Sequence, residues 1–311
     1  MSSFSALSRG LALALGFALA AGAAPAQDAP IRFGVGVDPA YAPMFLAKRE
    51  KLFEKHGVNV EIVQYTQGGD AVDAMLAAQA EFAGSTEAVT ANRVTRGDIR
   101  GLAVFSQSGK FIKLVARAGI TDVKDIKKWG IVPGSVNEYI TGKIISVKGI
   151  DPKSVEMVRA GPPEFPALLQ RGDVDGYILW EPWPSNGVKV GGKILGSSGD
   201  FGYVYNLLIA VNGPWYDKNK DKAVKVAAAL AEACKILTAD PARGAAAVQA
   251  EAKIPAATAE AQMREVDCKV RDFTDQDLVN YKEIAKFLFD KGNTKTLADM
   301  DKYVQRGFFK E

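Results

Sequence analysis

The sequence predicts an α/β protein with two lobes, each built on a mostly parallel sheet flanked by helices. From residue 31 to residue 116, short apolar strands alternate with amphipathic helices, which is the rhythm of β-α-β units. The same rhythm begins again after Ala116. The stretch 74–84, a helix running into a strand, has a counterpart of similar pattern at 167–177. Two similar lobes that face each other would bring the loops after these strands into one cleft.

The first half contains five predicted strands. Apolar runs and period-two alternation place them at 31–37, 58–65, 81–84, 99–105 and 111–116. A turn at Asp38 and Pro39 opens a helix that reaches about Lys55. Two further helices follow the Gly-rich turn 67–70 and the polar segment 85–87.

The second half repeats this arrangement and then becomes helical. Strands are predicted at 129–132, 155–160, 174–179 and 203–211, with helices at 122–128, from 135 to about 146, and at 165–171. From Pro214 onward the pattern predicts helices at about 221–238, 241–250, 256–265, 275–290 and 297–303. These helices carry apolar residues at helical spacing and almost no candidate functional residues. We therefore expect them to return to the first lobe and pack on its outside.

Composition and charge limit the class of protein. Of the 311 residues, 48% are hydrophobic and 24% are charged, as in a globular protein of two domains or one large one. The net charge of +3 is small, and the Lys and Arg residues are dispersed along the chain. This pattern argues against a nucleic-acid-binding protein.

Residues 1–26 predict a secretory signal peptide. Arg9 precedes an apolar run from Leu11 to Ala24, and the small-residue motif that ends at Ala26 places cleavage after that residue. The run is shorter than the about 20 apolar residues of a membrane span. No Cys follows the cleavage site to accept a lipid, and no later stretch is long and apolar enough to cross a bilayer. We therefore expect an exported, soluble protein.

Cys234 and Cys268 are the only cysteines, and in an oxidising compartment they predict one disulfide. Two separate thiols are the alternative, because spacing alone does not show that the Cβ atoms meet. The single histidine, His56, ends a Lys- and Glu-rich helix, where a surface or capping role is expected. The sequence contains no metal-binding cluster, no P-loop and no complete dinucleotide fingerprint.

The segment 161–184, GPPEFPALLQRGDVDGYILWEPWP, is the candidate rim of a ligand cleft. A strand ends at Trp180, and the ligands of open α/β sheets collect beyond the carboxyl ends of strands. Trp180 offers a flat apolar face with an N–H donor, and Glu181 offers charge. Ordinary packing of Trp and Pro beside a strand is the alternative.

Several motifs occur in one order along the chain. After the apolar leader come Ala-Tyr-Ala-Pro, Gly-Gly-Asp before an Ala-Met-Leu helix, Ala-Gly-Ser-Thr-Glu, Val-Pro-Gly-Ser and Gly-Asp-Val-Asp-Gly-Tyr-Ile-Leu-Trp-Glu-Pro-Trp. Together they resemble the periplasmic solute-binding proteins of ABC importers, in the nitrate, sulfonate and taurine branch that also includes binders of thiamine pyrimidine precursors. The resemblance covers essentially all of the chain after the leader, and the last motif is its most specific part.

The resemblance implies a type II periplasmic-binding fold, in which two α/β lobes joined by a hinge close on a small molecule. Lobe one would comprise residues 27–116 and 208–311, and lobe two residues 117–207, with the hinge near Val115 and Leu207. The implied function is that of a non-catalytic periplasmic receptor, expected to be monomeric. It would pass a small molecule to the permease subunits of an ABC transporter without a cofactor or a metal.

Residues at strand ends and helix starts become the candidate ligand contacts. They are Asp38, Tyr41, Gly68, Gly69, Ser85, Thr86 and Glu87 from lobe one, and Ser135, Asn137, Trp180, Glu181 and Asn206 from lobe two and the hinge, with Tyr203 or Tyr205 as a further candidate. Free N–H groups at a helix start bind anions. Helix capping is an equal explanation for Ser85 and Ser135.

The acidic candidates bear on the ligand. If Asp38, Glu87 and Glu181 all lined the cleft, they would repel a bare anion such as nitrate. A sulfonate- or taurine-like molecule with an amino group beside its acid, or an aminated heterocycle, would be held better. Pairing of these carboxylates with Lys or Arg outside the cleft is the alternative, and it is strongest for Asp38.

The rival function is an enzyme of the same fold that acts on a small carboxylate or on a pyridoxal- or pyrimidine-type substrate. Glu87 or Glu181 would then serve as a base. The predicted signal peptide argues against this function, because the substrates of such enzymes are cytosolic.

Overall fold

The computed structural model describes residues 29–310, and the signal peptide predicted at residues 1–26 lies outside them. In the described part, the strands in chain order are β1 Ile31–Gly36, β2 Val60–Tyr65, β3 Phe82–Thr86, β4 Ile99–Ser108, β5 Ile112–Ala116, β6 Lys128–Ile131, β7 Glu156–Arg159, β8 Gly176–Trp180, β9 Lys193–Ser197, β10 Tyr205–Asn212 and β11 Asp267–Arg271. The helices of the same part are α1 Ala42–Arg49, α2 Leu52–Lys55, α3 Gly68–Leu76, α4 Glu87–Arg93, α5 Val136–Val147, α6 Phe165–Arg171, α7 Trp183–Lys189, α8 Gly213–Lys218, α9 Lys220–Ala239, α10 Pro241–Ala252, α11 Ala256–Met263, α12 Asp275–Asp290 and α13 Met300–Tyr303.

Each lobe is organised by one sheet. Sheet one has the strand order β11-β4-β10-β3-β1-β2, and sheet two has the order β7-β6-β8-β5-β9. In each sheet three parallel strands lie side by side, and an antiparallel strand, β10 or β5, borders the third of them. β3 and β8 hold equivalent places, so the internal repeat predicted from the stretches 74–84 and 167–177 is confirmed.

The chain crosses between the lobes at slightly different places from those predicted. β5 pairs with β8 and β9 from Ile112 to Ala116, so it belongs to lobe two. β10 pairs with β3 and β4 from Tyr205 onward, so it belongs to lobe one. The predicted boundaries after Ala116 and after Leu207 are therefore wrong by a few residues. Both strands are almost wholly buried, and an apolar run does not show which sheet it joins.

The C-terminal part returns to lobe one and packs on its outside, as predicted. There α9 and α10 pack on α1, α12 packs on α4, and α13 packs on β4. The prediction of helices throughout is wrong at Asp267–Arg271, because this segment forms β11, antiparallel to β4 at the edge of sheet one. Its charged sequence, DCKVR, is typical of an edge strand and hides the strand pattern.

Cys234 and Cys268 form a disulfide that fastens α9 to β11, with 5.2 Å between their Cα atoms. Within residues 29–310, no helix is both long and apolar enough to span a membrane. In the same residues, no group of three or more His, Cys, Asp or Glu side chains is placed to hold a metal ion.

Candidate ligand-binding cleft

A cavity lies between the two lobes, at the carboxyl ends of β1, β3 and β8. It is lined by Asp38, Ala40, Tyr41, Gln67, Gly68, Gly69, Thr86 and Val89 from lobe one, Phe111, Ile112, Ser135, Val136 and Trp180 from lobe two and the crossing before it, and Tyr205 and Leu207 from β10. Its volume is about 40 Å³, which holds about three water molecules. A ligand larger than this volume therefore requires the cavity walls to stand further apart.

Seven of the twelve predicted contacts line this cavity, namely Asp38, Tyr41, Gly68, Gly69, Thr86, Ser135 and Trp180. They come from both lobes. The arrangement agrees with the rule that ligands of open α/β sheets lie beyond the carboxyl ends of the strands.

Asp38 is the only carboxylate among the described residues that line the cavity. It caps the turn after β1, where its Oδ1 accepts a hydrogen bond from the Ala40 amide at 2.9 Å. The residue is 7% exposed, and burial raises the pKa of its carboxyl to about 7, although the Ala40 hydrogen bond opposes this shift. Oδ2 accepts no hydrogen bond from a described residue, and none of the described residues that line the cavity is Lys or Arg. Pairing with a basic residue outside the cleft, the alternative raised for Asp38, is not what the structure has.

Tyr41 is fixed beneath the start of α3. Its hydroxyl donates a hydrogen bond to the Gly84 carbonyl oxygen at 3.0 Å. A Cβ atom on Gly68 would lie 2.6 Å from the Tyr41 hydroxyl and 2.9 Å from the Gly84 oxygen. Only glycine leaves room for this approach, which brings the start of α3 against the cavity.

Tyr205 lines the cavity, and its buried hydroxyl is unused. The residue is 2% exposed, and its hydroxyl has no hydrogen-bond partner within residues 29–310. Burial, and then the charge of Asp38, raises the pKa of Tyr205 well above its ordinary value. Because buried polar atoms are nearly always paired, this hydroxyl marks a place where the cavity lacks a polar partner.

The helices α3 and α5 begin at the cavity, one in each lobe. Gly68 and Gly69 are the first two residues of α3, and Val136 is the first of α5. Ser135 caps α5 by accepting a hydrogen bond from the Asn137 amide at 3.1 Å, and it donates to the Val132 carbonyl at 2.9 Å. Its hydroxyl is thus engaged in capping. The amino ends of the two helices favour partial negative charge between them.

The remaining wall is apolar. Trp180 ends β8 and pairs in the sheet with Ile112 of β5, so both are carried to the cavity by sheet two. Phe111, Val136 and Leu207 complete this surface. The wall therefore suits a ligand with an apolar body and polar ends.

Five predicted contacts lie outside the lining, namely Ser85, Glu87, Asn137, Glu181 and Asn206. Ser85 is wholly buried and shares a hydrogen bond with the Thr90 hydroxyl at 2.9 Å. The Asn137 side chain donates to the carbonyls of Gly130 and Ile178 and accepts from the Val132 amide. Both side chains are therefore engaged in hydrogen bonds within their own lobe.

Glu181 is 1% exposed and lies outside the lining. It accepts hydrogen bonds from Lys113 Nζ at 2.7 Å, Gln262 Nε2 at 3.1 Å and the Ser185 amide at 3.2 Å. Lys113 also pairs with Glu265 at 2.8 Å, and since Gln262 and Glu265 belong to lobe one, the cluster joins the lobes. The prediction that Glu181 and Glu87 both line the cleft is wrong, because Glu181 is satisfied by these donors outside the lining and Glu87 is outside it as well.

Glu87 and Asn206 lie on the face of β10 that points away from the cavity. Tyr205 and Leu207 point into the cavity, so Asn206, between them, points the other way. Glu87 accepts hydrogen bonds from the Tyr203 hydroxyl at 2.8 Å and the Asn206 amide at 2.9 Å. It is 2% exposed, and burial raises the pKa of its carboxyl to about 8, although these hydrogen bonds oppose the shift. We call Asp38 with Tyr205 the cavity face, and Glu87 with Tyr203 and Asn206 the back face.

Arg93 closes the rim of the cleft, a role that the sequence analysis missed. It is buried, binds the Asp73 carboxylate through Nε and Nη2, and donates from Nη1 to the Gly134 carbonyl of lobe two at 2.7 Å. Its place in the last turn of α4 gave no sequence signal, since a basic residue there is typical of any helix.

The sequence analysis also missed part of the lining, namely Ala40, Gln67, Val89, Phe111, Ile112, Val136 and Leu207. Ala40, Gln67 and Val136 adjoin predicted contacts and could have been found from them. Phe111 and Ile112 could not have been found in this way, because the predicted boundaries assign their strand to lobe one.

Comparisons with known proteins agree with this geometry. A model of the NMT1-like family matches residues 24–252. A Bacillus subtilis protein named for the binding of aliphatic sulfonates is 28% identical over 171 residues, which are 52% of this chain and 52% of that protein. The taurine-binding periplasmic protein of Escherichia coli is 27% identical over 182 residues, which are 57% of this chain and 56% of that protein. The chain spans about half the length of the curated relatives it matches.

The likeness to a solved structure covers more of the chain. The crystal structure of the periplasmic aliphatic sulphonate-binding protein of Escherichia coli has a TM-score of 0.79 at 16% identity, over 91% of this chain and 94% of that chain. At this identity the likeness concerns the fold, and it confirms the predicted periplasmic-binding fold. Together with the family match, it also confirms the resemblance to periplasmic solute-binding proteins.

Proposed function

The chain belongs to the NMT1-like family, and from that premise we propose that it is an extracytoplasmic solute receptor. It binds a small polar organic molecule between its lobes and delivers it to the permease of an ABC importer. The observation that carries this proposal is the cavity whose wall comes from both lobes and from β10. A ligand can shift the equilibrium toward the closed form only by preferring it, and a ligand held by both lobes has that preference.

Contacts between the lobes support a closing motion. The hydrogen bond from Arg93 to the Gly134 carbonyl and the pairing of Lys113 with Glu265 each join one lobe to the other. Lobe separation would break both. The closed form therefore has interactions of its own, to which a bound ligand adds.

The ligand in this proposal is a sulfonate- or taurine-like solute, with an aminated heterocycle as the alternative. The amino ends of α3 and α5 suit an acidic group, and Trp180 suits an apolar body. Because Glu87 and Glu181 lie outside the lining, the electrostatic argument against acidic solutes now depends on Asp38 alone.

The location and partners follow from the same proposal. The relatives named above include a periplasmic protein, and a receptor in that compartment meets its permease at the inner membrane. We expect the receptor to act as a monomer.

An enzyme of the same fold is less well supported. Glu87 and Glu181, the two bases considered for it, are both buried outside the cavity in hydrogen bonds to other groups. No His, Cys or Lys occurs among the described residues that line the cavity. The Ser135 hydroxyl is engaged in capping and has no base beside it among the described residues.

A ligand screen tests the proposal. Sulfonates, amino acids and heterocyclic amines are added to the purified protein, and thermal unfolding and tryptophan emission are recorded. We expect at least one compound to raise the unfolding temperature and to change the emission. Trp180→Phe should abolish the emission change, whereas Trp183→Phe, a matched control outside the lining, should retain it. If no compound stabilises the protein, the receptor proposal fails.

A further inference from the structure

Two polar groups of the cavity face retain unused hydrogen-bonding capacity. Asp38 Oδ2 accepts no hydrogen bond from a described residue, and the Tyr205 hydroxyl has none within residues 29–310. No hydrogen bond joins the two residues, although the charge of Asp38 acts on Tyr205. A group placed between them would satisfy both.

We infer that the cavity holds its ligand by a protonated amine bound between Asp38 and Tyr205, so that the ligand class is that of small aminated solutes. This inference rests on the proposed function and deepens it. The cavity face, Asp38 with Tyr205, is then a subsite for an ammonium group.

The chemistry of the lining selects an amine over other donors. A buried carboxylate without a counter-charge is costly, and a cation offsets that cost far better than a neutral hydroxyl does. Within residues 29–310, no Lys or Arg lines the cavity to supply the cation. An ammonium group has three donors, which suffice for the Asp38 carboxylate and the Tyr205 oxygen and leave one over.

The aromatic wall supports the same class. Tyr41, Tyr205 and Trp180 all line the cavity, and aromatic faces attract organic cations. The acid of the same ligand, where it has one, would lie toward the amino ends of α3 and α5. The subsite therefore accommodates an amino acid or aminosulfonate without a basic side chain.

Glu87 offers no such subsite. It is as deeply buried as Asp38, but the Tyr203 hydroxyl and the Asn206 amide each occupy one of its oxygens. It also lies on the back face, outside the lining. Glu87 thus provides a matched control for Asp38.

The inference predicts that binding depends on pH. The titratable side chains that interact with Asp38 are Tyr41 and Tyr205, and both stay neutral because burial raises the pKa of their hydroxyls well above the ordinary value. Asp38 alone then titrates near pH 7 in the ligand-free cavity. An ammonium group binds its ionised form, so affinity should rise as the pH rises through 7.

Matched pairs of probes test the inference on the unaltered chain. The pairs are 2-aminoethanesulfonate with ethanesulfonate, 3-aminopropanesulfonate with propanesulfonate, and 4-aminobutanoate with butanoate, titrated by calorimetry at pH 8. The amine of at least one pair should bind about 30-fold more tightly than its partner, as expected for a buried charge pair. The same amine should bind about tenfold more weakly at pH 6.

Variants separate the subsite from the rest of the protein. Asp38→Asn should lose the preference for the amine, whereas Glu87→Gln should keep it. Thermal unfolding of each variant checks that it is folded. If a variant does not fold, the preference for the amine is still measured on the unaltered chain.

The outcomes distinguish this inference from the proposed function. Equal affinity for both members of every pair, or a preference that survives Asp38→Asn, overturns the ammonium subsite and leaves the receptor in place. If no member of any pair binds, the subsite and the proposed receptor for small acidic solutes both fail.

Discussion

Asp38 and Glu87 are both buried carboxylates just beyond strands of lobe one, yet they differ in what remains for a ligand. Burial raises the pKa of each carboxyl, to about 7 and about 8 respectively. Glu87 has a donor on each oxygen, whereas Asp38 has one on Oδ1 alone. The comparison teaches that burial and a raised pKa do not identify a ligand contact. Unused hydrogen-bonding capacity in a cavity wall is the feature on which we base the proposed contact at Asp38.

β10 separates the two environments. Successive side chains of this strand point to opposite sides, so Tyr205 lies on the cavity face and Asn206 on the back face. Asn206 donates to Asp277 and Tyr281 at 2.8 Å, so the back face is a hydrogen-bond network, and Glu87, Tyr203 and Tyr281 also line a second cavity of about 340 Å³. We therefore assign stability to the back face and ligand binding to the cavity face.

The largest expected effect comes from the disulfide that fastens β11, the strand that supports the back face. Arg271 of β11 binds Asp277 at 2.6 Å and Gln107 at 3.0 Å. Replacing both Cys234 and Cys268 by Ala should lower the free energy of unfolding by about 4 kcal/mol, since the bridge closes a loop of 34 residues. Urea unfolding measures this loss. Ligand affinity of the folded variant should change less than twofold, and a large loss of affinity would refute the division between the faces.

The next effect is the pH dependence of stability. Because each folded-state pKa is raised, the stability associated with each carboxyl is full below the ordinary value, 3.8 for Asp38 and 4.5 for Glu87. It is lost as the pH rises to about 7 and about 8 respectively. At pH 8, Asp38→Asn should therefore be more stable than the parent by on the order of 2–4 kcal/mol, and at pH 4 the difference should vanish.

Urea unfolding of both carboxylate variants between pH 4 and pH 9 measures these profiles. An aminated ligand should lower the apparent pKa of Asp38 and leave that of Glu87 unchanged. A ligand-induced shift at Glu87 instead would reverse the assignment of the two faces.

The smallest effect distinguishes the two tyrosines of the same segment. Tyr203→Phe removes the donor of a buried carboxylate and should destabilise the ligand-free protein by about 1–3 kcal/mol. Tyr205→Phe removes a hydroxyl without a partner in the described residues and should be neutral or slightly stabilising. Thermal unfolding of both variants measures the difference. Equal losses would mean that the Tyr205 hydroxyl has a partner in the ligand-free protein.

The fold and half of the cleft could be predicted from the sequence, because local patterns determine them. Apolar alternation and turn residues located β1, β3 and β8, and the carboxyl ends of these strands carry Asp38, Thr86 and Trp180. The repeat of one helix-strand unit predicted the equivalence of β3 and β8.

The remaining features depend on long-range pairing. The sheet that β5 joins is decided by its pairing with β8 and β9, which the sequence of β5 does not encode alone. The directions of Glu87 and Glu181 depend on donors that lie far away in sequence, such as Tyr203 and Gln262. Their charge and their positions after strands predicted that Glu87 and Glu181 contact the ligand. Tertiary hydrogen bonds instead hold both side chains outside the cavity.

The central claim is that ligand binding belongs to the cavity face. A crystal structure of the protein with the tightest-binding aminated probe tests it most directly. We expect the probe nitrogen to lie within hydrogen-bond distance of Asp38 Oδ2 and the Tyr205 hydroxyl, with Glu87 still bound to Tyr203 and Asn206. A probe bound against Glu87 on the back face, or one whose nitrogen points away from Asp38, would contradict it.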